Sequence, residues 1–137
     1  WAGAFQCWGP ENREAALRFV PGPPGAEEAA NAEVKSFDPA ANPYLVTGAV
    51  IAAGLAGLDA GLRLPPPVAG DPVHSVGARR LPTSLPEALG HFTESAVLRE
   101  ALGDRLFEAI VAVRQAETKL FDGQTPGEIA EATRGRY

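Results

Sequence analysis

Fifteen consecutive residues, Tyr44 to Leu58, carry no charge and are mostly apolar. A run of this kind is unfavourable in a solvated loop and looks for a buried setting. It falls short of the roughly 20 apolar residues that span a bilayer, and its Gly and Ala content suits a helix packed tightly inside a protein. Asn42 is a good N-cap, and Pro43 suits the first helical turn, where a missing N–H costs nothing. The expectation is a helix from there to about Ala60. Ala53, Gly57 and Gly61 recur at i, i+4 and i+8, a smooth face that lets another element approach closely.

The residues before this helix read as strands and turns. Ala4–Trp8 is a candidate short strand, Gly9-Pro10-Glu11-Asn12 a turn, and Ala15–Val20 a second strand with Leu17 and Phe19 on one face and Ala16 and Arg18 on the other. Pro21-Gly22-Pro23-Pro24-Gly25 is a loop, since Pro donates no ladder bond and Gly frees φ. Asn31–Ser36 is a third strand. After the apolar helix, Leu64–Pro82 reads as one long loop rich in Pro, Gly and Asp. Ser84-Leu85-Pro86-Glu87 is a capping box that opens a short helix, and Thr93 or Ser95 starts another. Gly103–Phe121 carries Leu106, Ile110 and Val113 at helical spacing and stops at Gly123, and Thr125-Pro126-Gly127-Glu128 opens a last helix. The fold class is therefore α+β, with short antiparallel strands in the first third and a mainly helical remainder, and no internal repeat.

Bulk numbers narrow the function classes. The 137 residues suit one domain. An apolar content of 45% argues against intrinsic disorder, and a net charge of −5 argues against a nucleic-acid partner. Cys7 is the lone cysteine, which rules out an intrachain disulfide and fits a reducing, cytoplasmic setting. Neither His74 nor His91 has a His or Cys neighbour at zinc-ligand spacing. Trp1 opens the chain without Met or a basic leader, so the expectation is a fragment or a processed chain.

Chemistry-bearing residues cluster in the strand region. Period 2 puts Asn31, Glu33 and Lys35 on one face of the third strand, opposite Ala32 and Val34. That face is either a solvated edge or a place where Glu33 holds a divalent cation and Lys35 meets an anion. Arg18 lies in an apolar strand and needs partners: either a carboxylate such as Glu11 or Glu14, or a phosphate, as for Arg13. No Gly-rich phosphate motif and no Ser/His/Asp set is present.

Five segments carry a family resemblance. Asp38-Pro39-Ala40-Ala41-Asn42-Pro43-Tyr44-Leu45 resembles the D-P-x-A-N-P-Y-L signature of glutamine synthetases, and Ala53-Gly54-Leu55-Ala56-Gly57-Leu58 is similar to the family's A-G-L-D-G-I run. Asn12-Arg13 through Arg18 resembles N-R-x-x-x-x-R, Glu33-Val34-Lys35 resembles E-V-R, and Leu81 to Leu89 resembles L-P-x-S-L-x-E-A-L. Order and approximate spacing match along nearly the whole chain.

The resemblance implies that residues 1–137 are the C-terminal part of a glutamine synthetase-like catalytic domain. It implies a ligase that uses ATP and Mg²⁺ or Mn²⁺ to join the γ-carboxylate of glutamate to ammonia or an organic amine through a γ-glutamyl phosphate. The full-length protein would be a ring-type homo-oligomer without nucleic-acid or membrane partners. By position, Glu33 corresponds to a metal-holding glutamate, Arg13 and Arg18 to arginines on the ATP phosphates, Lys35 to a substrate-side arginine, and Asn31 to an arginine near the nucleotide. Asn31 lacks the charge, and Lys35 lacks the guanidinium fork. Trp1 stands where ammonia-using members carry a loop glutamate, and the start of the chain resembles the divergent branch, some of whose members ligate larger amines. The family's remaining metal ligands precede this segment, so the fragment alone is expected to be inactive. The alternative is a catalytically inactive synthetase-like domain kept for assembly or binding.

Overall fold

The computed structural model describes residues 3–38, 40–75 and 77–135. The chain divides into two compact units: Trp1–Pro39 with Leu62–Leu81, and Ala40–Gly61 with Pro82–Tyr137.

The first unit holds the strands: β1 (Phe5–Gln6), β2 (Trp8–Pro10), β3 (Leu17–Val20), β4 (Asn31–Val34) and β5 (Arg79–Arg80). The expected single strand over Ala4–Trp8 is broken at Cys7, whose N–H turns back to the Phe5 carbonyl at 2.9 Å. On one side of this kink β1 pairs antiparallel with β5; on the other, β2 joins the sheet β2-β3-β4. The expected turn at Gly9 begins only at Glu11. Gly9 and Pro10 stay in β2, an edge strand, where a residue without an N–H is tolerated. β2 runs parallel to β3, and β4 runs antiparallel to it, with Arg18 opposite Glu33 and Val20 opposite Asn31.

The long loop expected over Leu64–Pro82 is tied down. It contains a 3-10 turn at Pro72–His74, capped by the Asp71 carboxylate on the Val73 N–H at 2.9 Å, and it contributes β5. Its proline run offers carbonyls but no N–H groups, so a donor for the run must come from outside it. Trp8 Nε1 donates to Pro65 O at 2.8 Å, and the Val68 N–H donates to Trp8 O at 2.9 Å.

The second unit is helical: α1 (Pro43–Asp59), α2 (Leu85–Thr93), α3 (Ala96–Leu120) and α4 (Pro126–Thr133). Asn42 caps α1 as expected, accepting from Tyr44 N at 3.0 Å and Leu45 N at 3.3 Å. α1 packs with α3, and its half-buried positions include Leu45, Ala49, Ala52 and Ala56. Of the expected Ala53, Gly57 and Gly61 stripe only Gly57 is among the half-buried positions: Ala53 is exposed, and a Cβ at Gly61 would meet open space. Ser84 caps α2, but the Glu87 carboxylate reaches the Thr83 N–H at 2.8 Å rather than that of Ser84, so the box closes one residue early. α3 starts after Ser95 and continues past Gly103, whose φ of 72° interrupts the helical geometry where the sequence suggested a start. α4 opens on a complete capping box, and the Thr125 N–H, then its hydroxyl, hold the Glu128 carboxyl below the usual carboxylate range.

Phe107 on α3 is fully buried. Phe92 of α2 stacks on it at 4.6 Å and 14°, and the Arg99 guanidinium lies 4.2 Å from its ring centre. Asp104 at 2.9 Å and Glu108 at 2.8 Å hold that guanidinium over the ring. Phe107→Ala removes the shared face of this stack and should destabilise the helical unit by about 3–5 kcal/mol, read as a lower denaturation midpoint. A midpoint within error of wild type would show that the stack does not hold the unit together.

Candidate functional site

The five residues singled out in the sequence all lie in the first unit, on β3, on or just past β4, and in the turn between β2 and β3. The turn is built on Asn12, which is buried. Its amide nitrogen donates to Val68 O at 2.8 Å and Gly70 O at 2.9 Å, while its oxygen accepts from the Glu14 N–H at 2.9 Å. Every strong hydrogen-bonding position of the carboxamide but one oxygen lone pair is thereby used. Gly9 lies under the same contact: a Cβ there would stand 2.3 Å from Val68 O.

The turn presents Arg13 to solvent. Lys35, just past β4, closes it from below. Its ammonium donates to Arg13 O at 2.6 Å and Asn12 O at 3.4 Å. The Lys35 ammonium is thus directed at these backbone carbonyls in this structure, and the lysine braces the segment that carries Arg13.

Arg18 and Glu33 are brought together by the β3–β4 register. Arg18 Nη1 lies 3.2 Å and 3.3 Å from the two Glu33 oxygens, and Arg18 Nη2 lies 2.6 Å from Glu11 Oε2. The carboxylate partner left open in the sequence is therefore Glu11 together with Glu33. Glu14 instead gives its N–H to Asn12. The Arg18 side chain is 14% exposed, and its Nε is buried without a hydrogen-bond partner. The hydrogen bond that Arg18 donates to the Glu11 carboxylate is the main cause that pushes the Arg18 pKa further up, with Glu33 adding to it, so the guanidinium stays charged. Asn31 is exposed at the start of β4 and donates to Ala29 O at 3.3 Å.

Among the described residues no group of three or more His, Cys, Asp or Glu is placed to hold a metal ion. Glu33 fits as one carboxylate ligand of a divalent cation, not as a whole coordination sphere. A half-open cavity of about 390 Å³ in the same unit is lined by Cys7, Trp8, Pro66 and Ala78 among others, and by none of the five candidates. Asn12 as the central tie was not singled out from the sequence, although its place before Arg13 in a turn was the available signal. Trp1 lies outside the described residues. Among the described residues no helix is long and apolar enough to cross a membrane.

An α+β chain with a charged strand face beside a braced arginine turn fits a catalytic-domain segment. Residues 1–130 match the family "Glutamine synthetase, catalytic domain", and the chain belongs to that family. A gamma-glutamylpolyamine synthetase of Streptomyces coelicolor is 47% identical over 145 residues, covering 100% of this chain and 31% of the relative. A glutamine synthetase of Mycolicibacterium smegmatis is 36% identical over 131 residues, covering 89% and 29%. Among solved structures, a glutamine synthase homolog superposes with a TM-score of 0.83 at 27% identity, over 100% of this chain and 31% of its own. A GmaS–ADP complex superposes at 0.78 and 29% identity, over 97% and 30%. The chain thus spans about a third of the length of these proteins.

Asn12→Ala leaves two loop carbonyls and the Glu14 N–H without their partner, and Asn12→Asp takes away the donors while adding charge. Each should cost on the order of 2–3 kcal/mol and speed hydrogen exchange at the Val68 amide, which is held by Trp8. Unchanged protection of Val68 would mean that the loop is held without Asn12.

Proposed function

We propose that this chain forms the C-terminal part of the catalytic domain of an ATP-dependent ligase that joins the γ-carboxylate of glutamate to an organic amine. The observation that carries the reading is the placement of Arg18 and Glu33 side by side across β3 and β4, in a chain of this family. In this reading Glu33 contributes one carboxylate to a Mg²⁺ or Mn²⁺ site. Arg18 and the solvent-facing Arg13 meet the ATP phosphates, and Asn31 borders the nucleotide without adding charge. Lys35 serves the site by fixing the turn under Arg13. When bound, the divalent cation would neutralise phosphate charge during transfer. The arginines do the same from the protein side, with Arg18 already oriented by its ion pairs and Arg13 carried on a braced turn. The γ-carboxylate would take the phosphoryl group, and the amine would then displace phosphate from the acyl phosphate.

The polyamine preference is supported by the 47%-identical relative, whose name states a polyamine substrate. Ammonium is small and cationic, so a site that uses it needs a carboxylate to take its proton, and Trp1 offers none at the corresponding position. We further propose a cytoplasmic, ring-type oligomer for the full-length protein, and no activity for these 137 residues alone.

The test uses the full-length protein that carries this chain, with glutamate, ATP and a panel running from ammonium through monoamines to polyamines. A higher kcat/KM for a polyamine than for ammonium is expected. The reverse order would overturn the amine assignment, and no turnover with any amine would favour the non-catalytic assembly reading. Glu33→Ala in the same protein should lower kcat on the order of 100-fold. Its side chain is nearly half exposed, so the melting temperature should hardly move. Wild-type turnover and metal dependence would remove Glu33 from the site.

A further inference from the structure

Arg18 divides its guanidinium between two carboxylates, and the division is uneven. Nη2 makes the short contact, 2.6 Å to Glu11, whereas Nη1 alone spans both oxygens of Glu33 at 3.2 Å and 3.3 Å. An arginine and a carboxylate left to themselves close fork to fork, with two parallel N–H···O bonds of about 2.8 Å. Glu33 and Arg18 are directly opposite in neighbouring strands and have the reach to do so. They do not, because Glu11 holds the other nitrogen.

The backbone at Glu11 is arranged for this contact. Its φ of 52° is in the left-handed region, and it is the single non-glycine there among the described residues. Such a conformation is unfavourable for a residue with a Cβ and persists where the surroundings hold it. Here the Glu11 N–H is bonded to Phe19 O at 2.8 Å, which extends the β2–β3 ladder by one bond, and the chain turns sharply toward Asn12. The Glu11 carboxylate is thereby delivered to Arg18 from the side away from β4.

We propose that Glu11 is a positioning residue that restrains Arg18 from closing fork to fork on Glu33, and so leaves the Glu33 carboxylate in a longer, single-nitrogen contact that a divalent cation displaces more readily. This deepens the reading of Glu33 as a metal ligand and rests on it. Without the Glu11 anchor, Arg18 swings to a bidentate pair with Glu33, and a cation must break that pair to bind. Glu11 acts through Arg18, and this separates its role from that of a negative charge that attracts cations from a distance.

The experiment measures Mn²⁺ binding to the full-length protein by electron paramagnetic resonance, without nucleotide or amine, so that turnover is not the readout. Glu11→Gln and Glu11→Asp should both raise the Mn²⁺ Kd, by about threefold to tenfold. Glu11→Asp is decisive, because it keeps the charge and shortens the reach by one methylene. In an Arg18→Gln background, Glu11→Asp should have no further effect. A wild-type Kd in Glu11→Asp, or an equal effect with and without Arg18, would overturn the positioning role while leaving Glu33 as a ligand. The control is Glu33→Ala: if it leaves Mn²⁺ binding unchanged, the metal reading of Glu33 falls, and this inference falls with it.

Discussion

The Asn12 carboxamide is the tie on which the strand unit depends. The loop from Pro65 to Gly70 contains three consecutive prolines, which have carbonyls to satisfy and no N–H groups to do it with. The prolines themselves cannot tie the loop down, so, beside the Val68 N–H bond to Trp8 O, donors reach it from elsewhere. Trp8 supplies one to Pro65, and Asn12 supplies two, to Val68 and Gly70. Among short side chains only an amide combines two donors with an acceptor, and the acceptor here fixes the turn through Glu14. Aspartate would lose both donors, and serine would lack the reach. Gly9 completes the requirement by leaving room for Val68 to come close.

With the turn fixed, the charged groups around it have few choices left. Residues 11 to 16 leave β2 and re-enter the sheet as its central strand, so Glu11 and Arg18 end near each other although seven positions separate them. The antiparallel ladder adds Glu33 on the same side. One guanidinium between two carboxylates leaves the group with a net negative charge. The contacts are partly solvated, and exposed pairs of this type add little stability. Their effect is on geometry: each carboxylate removes some of the rotational freedom of Arg18. The buried Nε without a partner shows that the arginine's hydrogen-bonding capacity is not exhausted by them.

Much of the helical half was legible because caps are local signals. Asn42 before Pro43, Ser95 before an apolar repeat, and Thr125 with Glu128 each satisfy the first free N–H groups within three residues, and the structure starts its helices there. The two-residue strands were not legible as a pair. Arg79–Arg80 has no strand pattern of its own and is a strand because Phe5–Gln6 lies beside it, at the other end of the unit's sequence. The break at Cys7 has the same origin, since the chain there leaves one sheet for another. At the site, alternation along β4 placed Asn31, Glu33 and Lys35 on one side. It could not decide whether Arg18 would meet a carboxylate or a phosphate, because both offer oxygens at the same distances. The strand partner decides it for the protein alone.

Lys35 braces the turn that carries Arg13 through its ammonium group. An ammonium has three donors in tetrahedral array, and at Lys35 they converge on the neighbouring carbonyls of Asn12 and Arg13. A planar guanidinium matches two oxygens of one carboxylate or phosphate better than two successive peptide carbonyls, which point in different directions. The lysine is thus suited to bracing a turn, whereas an arginine at the same place would be suited to gripping an anion. Arg13 benefits: its backbone is held from one side by Lys35, and its neighbour Asn12 is held from the other by Val68 and Gly70. A solvent-facing arginine on a mobile turn would lose much of its binding energy to ordering. On a turn braced from both sides, only the Arg13 side chain itself remains to be ordered in the phosphate contact proposed for it.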